Sequence, residues 1–308
     1  MQPQITRASW AMVATLGLVW GATFLVIELA LEGITPFWLA GGRVGFAAGL
    51  MVLVWGLHGW ALFGPMPGAR PKSARPWVTL CVIGALSSAI PFMLISWGQQ
   101  YVTSGFAGVS MAAVALMVLP LAHFLVPGEA LTARKALGFV VGFSGVVVLI
   151  GSRAFESSGA DMETAGRLAI LAAAGCYAIS SVLVRRLPPI DPIGLSTVLL
   201  LVGAAIVIPA AWVVEGPPAS PPTNALIAVV VLGLIPTAGA NLLRVLVIRS
   251  AGPTFMSLTN YQVPLWSVVF GALVLDEQLP PSLLWALVLI LGGVGLSQKS
   301  ALGRLFAN

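Results

Sequence analysis

The chain has 308 residues, of which 58% are hydrophobic and 8% charged, and its mean hydropathy is +1.00. A soluble domain needs about a quarter of its residues to be charged, so the composition excludes a water-soluble globular protein and predicts a surface that faces lipid. The net charge of +5 lies mainly in the loops between apolar runs, which indicates membrane topology rather than binding to nucleic acid.

Ten apolar runs along the chain are each about as long as a membrane-spanning helix. A bilayer core about 30 Å thick needs about 20 apolar residues per helix, and short polar or Pro/Gly-rich links separate the runs. The first run leads directly into further spans, so we expect it to remain in the mature protein rather than to act as a cleaved signal peptide. We predict spans at residues 10–31, 36–58, 77–98, 104–126, 132–151, 166–187, 192–214, 225–248, 254–275 and 282–298.

Lysine and arginine residues gather on one side of the predicted membrane. With ten spans both termini share a side, and the loops on the opposite side carry Arg153 and Arg167 together with most of the carboxylates. Positively charged loops stay in the cytoplasm, so both termini are predicted to be cytoplasmic. The cytoplasmic cations are Arg7, Arg70, Lys72, Arg75, Arg134, Lys135, Arg185, Arg186, Arg249, Lys299 and Arg304.

The two halves of the chain resemble each other at a spacing of about half its length. Glu129 precedes the fifth predicted span, which contains the segment 142–146, and Glu277 precedes the tenth, which contains the segment 290–294. A five-span unit that is copied once must have the opposite orientation in the membrane, because five is odd. This pattern predicts an internal duplication with inverted halves.

Prolines occupy matching helices in the two halves. Pro91 and Pro236 fall in the third and eighth spans, and Pro120 and Pro264 fall in the fourth and ninth. Proline removes a backbone donor and bends a helix, so matched prolines favour a transport pathway over unrelated kinks. Pro120 and Pro264 are the predicted hinges of a gate; the alternative is that each merely fixes a curved helix.

The chain resembles the drug/metabolite transporter superfamily, in its EamA-type branch. The resemblance covers essentially the whole chain and rests on the order and spacing of Trp20–Phe24, Arg43, Gln100–Ser104 and the two Glu-x-Leu elements at Glu129 and Glu277. It implies an all-α membrane protein of ten transmembrane helices, in which two inverted five-helix repeats surround a central cavity. It also implies export of amino acids or similar small zwitterionic or neutral metabolites, with the aromatic amino-acid exporters as the most similar group. The repeats are predicted to cover residues 1–152 and 153–308.

Ionisable residues within the predicted spans are candidates for gating or coupling. Glu28 and Arg43 lie at similar depth in the first two spans, and a buried charge is costly unless it is paired or hydrated, so we predict that they pair. A structural ion pair, or side chains that reach the interface, would explain them equally. Arg244 lies near the inner end of the eighth span and is predicted to reach the cytoplasmic surface.

Polar and aromatic residues near the midplane of the spans are the candidate substrate contacts. Polar groups at that depth need partners, either in neighbouring helices or in a wet cavity. Serine and threonine can instead bond to their own helix, whereas asparagine and glutamine amides need more partners. The candidates are Trp20, Thr23, Ser87, Ser88, Tyr177, Thr237, Asn241, Asn260, Tyr261 and Gln262.

Glycines repeat at every fourth position in two of the predicted spans. Gly41, Gly45 and Gly49 do so in the second span, and Gly138 and Gly142 do so in the fifth. This spacing lets helix backbones approach closely, so we predict helix packing at both places.

The main enzymatic alternative is an intramembrane serine protease. The segment 142–145 matches the Gly-x-Ser-Gly pattern of such proteases, with Ser144 as nucleophile and His123 as its base. The duplicate of Ser144 is Gly292, however, which favours a packing role. No Gly-x-x-x-x-Gly-Lys loop for nucleotide binding is present. Cys81 and Cys176 fit no metal-ligand spacing, so neither a metal nor another cofactor is predicted.

Two further functions remain open at this point. A metabolite channel is disfavoured, because a charge-poor interior with an internal duplication fits alternating access better. An importer of the same fold would have the same sequence features. Phosphorylated substrates usually need several arginines or lysines and are disfavoured as well. The predicted partners are the lipid bilayer and one small-molecule substrate; the oligomeric state is left open, a monomer included.

Overall fold

The computed structural model describes residues 5–62, 75–102, 104–150, 161–274, 282–297 and 299, and their secondary structure is helical. Glu277, one of the two Glu-x-Leu positions, lies outside this part of the chain. Two π-helical segments, Ala85–Ala89 and Gly233–Gly239, join α4 to α5 and α10 to α11. The helices are α1 (Arg7–Gly21), α2 (Thr23–Leu31), α3 (Pro36–Leu57), α4 (Arg75–Gly84), α5 (Ile90–Gly98), α6 (Ser104–Leu125), α7 (Ala133–Ile150), α8 (Glu163–Arg186), α9 (Pro192–Glu215), α10 (Thr223–Leu232), α11 (Ala240–Ala251), α12 (Pro253–Met256), α13 (Thr259–Val274) and α14 (Leu283–Ser297).

The described helices turn apolar side chains outward. Leu57 is 91% exposed, Val213 83% and Phe124 79%, a pattern that would be unstable in water but is favourable in lipid. Two shorter helices, Ser110–Leu125 and Trp285–Ser297, are also apolar. Within the described residues, six helices are long and apolar enough to cross a membrane: Arg7–Leu31, Pro36–Leu57, Trp77–Gly98, Glu163–Arg186, Pro192–Glu215 and Thr223–Ala251.

A carboxylate from α9 caps the start of α3. The side chain of Glu215, the last residue of α9, accepts hydrogen bonds from the backbone N–H groups of Phe37 and Trp38, each at 3.0 Å, and from the Thr35 hydroxyl. The first N–H groups of a helix have no partner within the helix, and the positive end of the helix dipole favours an anion there. Glu215 therefore links α9 to α3 and also supplies the acceptor that the first N–H groups of α3 lack.

Removing this cap is expected to destabilise the protein without affecting the cavity. We expect Glu215→Ala to reduce the free energy of unfolding by about 1–2 kcal/mol, because two backbone donors lose their acceptor. Denaturant titration of the detergent-purified protein measures this change. Glu32→Ala is the matched control, since Glu32 is an exposed carboxylate at the end of α2; equal losses in the two variants would show that charge alone, and not capping, is responsible.

Proline explains the π-helical segment between α10 and α11. In an α-helix the Leu232 carbonyl would accept from the N–H of residue 236, but Pro236 has none. The π-helical segment shifts the pairing to the residue five positions on, and the Thr237 hydroxyl also donates to the Leu232 carbonyl, at 2.7 Å. The Pro236 carbonyl in turn accepts from the Trp20 indole N–H at 3.1 Å. The break in the helix is thus stabilised by its own threonine and by a tryptophan from α1.

Glycines allow α7 and α14 to pack backbone against backbone. A Cβ atom added to Gly293 would lie 2.5 Å from the Gly138 carbonyl oxygen and 2.5 Å from the Gly142 nitrogen, closer than Cβ contacts normally come. The predicted close approach at Gly138 and Gly142 is therefore present, and its partner is a glycine of α14. Small residues are the usual means of such packing in membranes.

The same prediction is wrong for the glycines of α3. A Cβ atom added to Gly49 would meet nothing within 4 Å, and those added to Gly41 and Gly45 would make only ordinary contacts. The close approach occurs one position further round the helix, where a Cβ on Gly42 would lie 2.7 Å from Val229. Glycines at every fourth residue mark one face of a helix, but this spacing does not reveal which neighbouring element packs against that face.

Candidate functional site

A cavity of about 100 Å³ lies among α1, α2, α3, α5, α6, α8, α9, α11, α12, α13 and the two π-helical segments. A volume of this size holds several water molecules. Eight of the ten predicted substrate-contact residues line it: Trp20, Thr23, Ser87, Ser88, Tyr177, Thr237, Asn241 and Asn260. Polar side chains from separate parts of the sequence therefore converge on one buried space, as in most small-molecule sites.

The other two predicted contacts, Tyr261 and Gln262, are not among the described residues that line the cavity. The Tyr261 hydroxyl donates to the Phe139 carbonyl on α7 at 2.9 Å, and its ring packs edge-on against the Phe139 ring. The Gln262 side chain packs on Gly17 of α1. Successive residues of a helix point about 100° apart, so only Asn260 of this trio faces the cavity.

The predicted ion pair between Glu28 and Arg43 is absent from the described side-chain contacts. Glu28 is exposed on α2, whereas Arg43 is 4% exposed and lines the cavity. The Arg43 Nε donates to the Thr237 hydroxyl at 3.1 Å, and its guanidinium carbon lies 4.1 Å from the centre of the Phe92 ring. The two residues were predicted to pair because they lie at equal depth in the membrane. Their side chains, however, are on different helix faces.

Arg244 was predicted to reach the cytoplasmic surface and does not. Its side chain is 5% exposed, lines the cavity, and donates through Nη2 to the Ser180 and Ser181 hydroxyls at 2.7 and 3.1 Å. Both serine hydroxyls donate to the Tyr177 carbonyl, so each is free to accept from the arginine. Arg244 is a site residue that was not predicted from the sequence; its position on the same helix face as Asn241, three residues away, was the available signal.

The cavity therefore contains two buried arginines. Tyr177 lies close enough to both Arg43 and Arg244 for its hydroxyl group to interact electrostatically with each. Among the described residues that line the cavity there is neither aspartate nor glutamate. The net charge of the described lining is consequently positive.

The remainder of the cavity wall is apolar. Hydrophobic side chains from α2, α5, α6 and α13 form much of it. A ligand that fits must present a hydrophobic part to this wall and polar groups to the arginines. The apolar wall includes Phe24, Ile27, Phe92, Ile95, Met111 and Val263.

The predicted hinge prolines lie away from the described cavity lining. Pro120 is exposed and lies inside α6, and Pro264 is buried inside α13. Both helices continue past their proline. The interruption in this part of the second half instead separates α12 from α13, between Met256 and Thr259.

The serine and histidine of the protease alternative have separate partners. The Ser144 hydroxyl donates to the Val140 carbonyl of its own helix, and the His123 Nδ1 accepts from the Leu131 N–H. Ser144 is exposed on the outside of α7, where no cavity residue is described. A nucleophile bonded to its own helix backbone, with its presumed base occupied elsewhere, has no support as a catalytic site.

A buried carboxylate lies at the loop between α6 and α7. Glu129 is 7% exposed, and burial raises the pKa of its carboxyl group above the ordinary value. Hydrogen bonds from Thr254 and the nearby positive charges of Lys135 and Arg185 oppose that shift only in part. The carboxyl group thus binds its proton more tightly in the folded protein than in the unfolded chain.

This shift predicts the pH dependence of stability. Between the ordinary pKa of 4.5 and the raised pKa, the folded protein binds more protons than the unfolded chain, so stability falls as pH rises through that window. Glu129→Gln should therefore flatten the profile of melting temperature between pH 4.5 and 8. Glu32→Gln, which removes an exposed carboxylate, controls for the loss of one charge; identical profiles for the Glu129 variant and wild type would contradict the prediction.

A bundle of apolar helices around a buried cavity with converging polar groups is the architecture of a solute transporter. The EamA-like transporter family matches residues 8–151 and, a second time, residues 164–297. The chain belongs to this family, which confirms the resemblance found in the sequence. It is a membrane transporter and not an enzyme.

Individual relatives agree with this assignment. The chain is 26% identical to a probable terminal-alkyne amino-acid exporter of Streptantibioticus cattleyicolor, across 98% of this chain and 96% of that protein. It is 22% identical to the uncharacterized transporter YoaV of Bacillus subtilis, across 92% and 94%. It is 26% identical to the uncharacterized inner membrane transporter YedA of Escherichia coli strain K12, across 82% and 78%. A solved crystal structure with 21% identity has the same fold, with a TM-score of 0.76 over 97% of this chain and 99% of that one.

Proposed function

We propose that the protein exports small metabolites related to amino acids by alternating access, from a bacterial inner membrane. The observation that carries this proposal is the cavity, which lies among the helices and is lined by polar residues from both halves of the chain. A site near the middle of two repeats is typical of secondary transporters. The substrate class follows the relative that is named as a probable amino-acid exporter.

We propose further that the chain consists of two inverted five-helix repeats, residues 1–152 and 153–308, with ten spans. The family matches each half separately. The two π-helical segments begin at residues 85 and 233, which are 148 positions apart, the same shift that relates the matching sequence segments. Helix interruptions at this spacing support the proposed repeat.

Helix packing supports a twofold relation between these repeats. If α3 corresponds to α9 and α7 to α14, the observed packing of α3 on α9 and of α7 on α14 is unchanged when the halves are exchanged. Suppose also that α1 corresponds to α8 and α6 to α13. Exchanging the halves then converts the contact of α6 with α8 into a contact of α13 with α1, and both contacts are observed.

Contacts between loops agree with ten spans and cytoplasmic termini. The Asp191 N–H donates to the Leu62 carbonyl at 2.9 Å, and both residues belong to loops expected in the cytoplasm. The Glu215 contact with Thr35 joins two loops expected outside. Each contact thus connects loops that this topology places on the same side.

Cysteine labelling tests the topology. In a chain with Cys81 and Cys176 replaced by serine, a cysteine at Gln100 is expected to react from outside the cell and one at Ala130 only from the cytoplasm. Both positions are exposed, so access and not burial determines the result. Labelling of both cysteines from the same side of the membrane would contradict the proposed topology.

Counterflow in proteoliposomes tests the transport mechanism. Vesicles loaded with one unlabelled metabolite should transiently accumulate the same labelled compound, because the unlabelled metabolite inside competes with the entered label for the carrier's site and slows its return. The compounds tested are amino acids and organic acids derived from them. Flux without counterflow would favour a channel, and uptake that exceeds export in cells would favour an importer.

A further inference from the structure

The cavity contains an arginine, Arg244, that uses only part of its hydrogen-bonding capacity. The Nη2 of Arg244 donates to two serines, but its Nη1 is buried and has no partner among the described protein atoms. A buried charged donor without an acceptor costs several kcal/mol, so structures retain one where a ligand completes it. The free Nη1 belongs to a side chain that lines the cavity.

A second arginine is held in place in the same cavity by a chain of contacts. Thr237 accepts from the Arg43 Nε and donates to the Leu232 carbonyl. The face of the Phe92 ring supports the guanidinium group at 4.1 Å. These contacts use Nε and the flat face of the group, and no hydrogen bond from its two terminal nitrogens is made to described residues.

No charge of opposite sign balances the two arginines within the described lining. Carboxylates bind guanidinium groups through paired hydrogen bonds, which are the strongest available to arginine. A zwitterionic substrate would also bring an ammonium group into a cavity that already holds two positive charges. Charge balance therefore favours a substrate that is negatively charged overall.

We infer that the cavity binds a small organic carboxylate with net negative charge, whose carboxylate is held by Arg244 Nη1 and whose second acceptor is held by Arg43. The inference rests on the proposed transport function and narrows its substrate. The apolar wall, which includes Phe24 and Ile27, receives the hydrocarbon part of the anion. A 2-oxo acid with a branched or aromatic side chain has all three features.

The negative charge of such a substrate couples its transport to the membrane potential. An anion that crosses without a coupling ion carries negative charge outward, and the inside-negative membrane potential favours this direction. At a potential of about 100 mV, a monovalent anion would accumulate about 50-fold outside at equilibrium. Export of the anion would thus require no proton-binding carboxylate in the cavity.

Matched pairs of probes test the inference on the unmodified protein. Each pair has the same carbon skeleton: 3-methyl-2-oxobutanoate with valine, and phenylpyruvate with phenylalanine. The 2-oxo acid should raise the melting temperature of the purified protein and bind at least ten-fold more tightly than its amino acid. Its efflux from proteoliposomes should increase with an inside-negative potential. Amino acids that bind and undergo counterflow while 2-oxo acids do neither would overturn the inference but leave the transporter proposal intact.

Arginine variants locate the binding group. Arg244→Gln should weaken binding of the 2-oxo acid at least ten-fold, while its amide can still donate to Ser180; Arg244→Lys should restore part of the affinity. Arg249→Gln is the matched control, because Arg249 lies on the same helix but donates to the Leu187 and Pro188 carbonyls away from the described cavity lining. Equal binding in the Arg244→Gln protein and wild type would overturn the inference, as would stabilisation by inorganic phosphate but by neither 2-oxo acid.

Discussion

Replacing Gly293 with alanine is expected to reduce the free energy of unfolding by about 2–3 kcal/mol, the cost of adding an atom to a packed interface that has no space for it. The added Cβ would lie 2.5 Å from the Gly138 carbonyl oxygen and 2.7 Å from the Gly142 Cα. All of these neighbours are backbone atoms, so no side chain can rotate away. The two helices α7 and α14 must separate along their length to accept the methyl group.

The adjacent glycine is a close control. A Cβ added to Gly292 meets nothing within 4 Å, so Gly292→Ala should leave stability unchanged or raise it slightly, since alanine favours helix. Unfolding of the purified protein in increasing concentrations of a denaturing detergent measures both variants. Gly138→Ala should resemble Gly293→Ala, because it places its Cβ 2.7 Å from the Gly293 carbonyl oxygen. Equal stability of the Gly292 and Gly293 variants would refute the proposed close packing.

Replacing Thr237 with valine is expected to lower the transport rate at least ten-fold while the protein still folds. Valine has the same shape but no hydroxyl group, so it removes the side-chain bond to the Leu232 carbonyl and leaves the Arg43 Nε without an acceptor. The stability cost should be about 1–3 kcal/mol for the unpaired buried groups. The larger loss of activity follows because Arg43 is no longer held toward the cavity. Thr237→Ser keeps the hydroxyl and should retain most of the rate.

A second buried threonine separates the two effects. Thr197 donates to the Met51 and Ile193 carbonyls and is not among the described residues that line the cavity. Thr197→Val should therefore reduce stability by a similar amount without a specific loss of transport. The measurement is the initial rate in proteoliposomes for a substrate found by counterflow, normalised to folded protein. If both valine variants transport at the same rate, Thr237 does not position a functional group.

The class of the protein follows from local properties of the sequence. Apolar runs of about 20 residues can be stable only in lipid, and repeated motifs in a fixed order identify the family that the comparisons then found. Candidate cavity residues could be selected as well, because polar groups at mid-depth need partners wherever they lie. Trp20, Tyr177 and Asn260 were selected in this way and line the cavity.

Errors in the candidate site arose where the direction of a side chain mattered. Depth in the membrane follows from position along a helix, but the face that turns inward depends on how helices rotate against their neighbours. Glu28 and Arg43 share a depth and not a face, and Gln262 turns toward Gly17 although Asn260 lines the cavity. Arg244 was assigned to the surface because a long side chain near a helix end usually reaches water.

The sequence by itself thus determined that the chain is a membrane transporter of the EamA-like family, since hydrophobicity, length and motif order are properties of the chain alone. Tertiary structure decided the charge of the cavity. Thr237 donates to the Leu232 carbonyl beside the helix break at Pro236 and orients Arg43, and the serines of α8 hold Arg244. Each of these contacts joins residues from different helices or across a helix break, and their geometry exists only after the helices have packed.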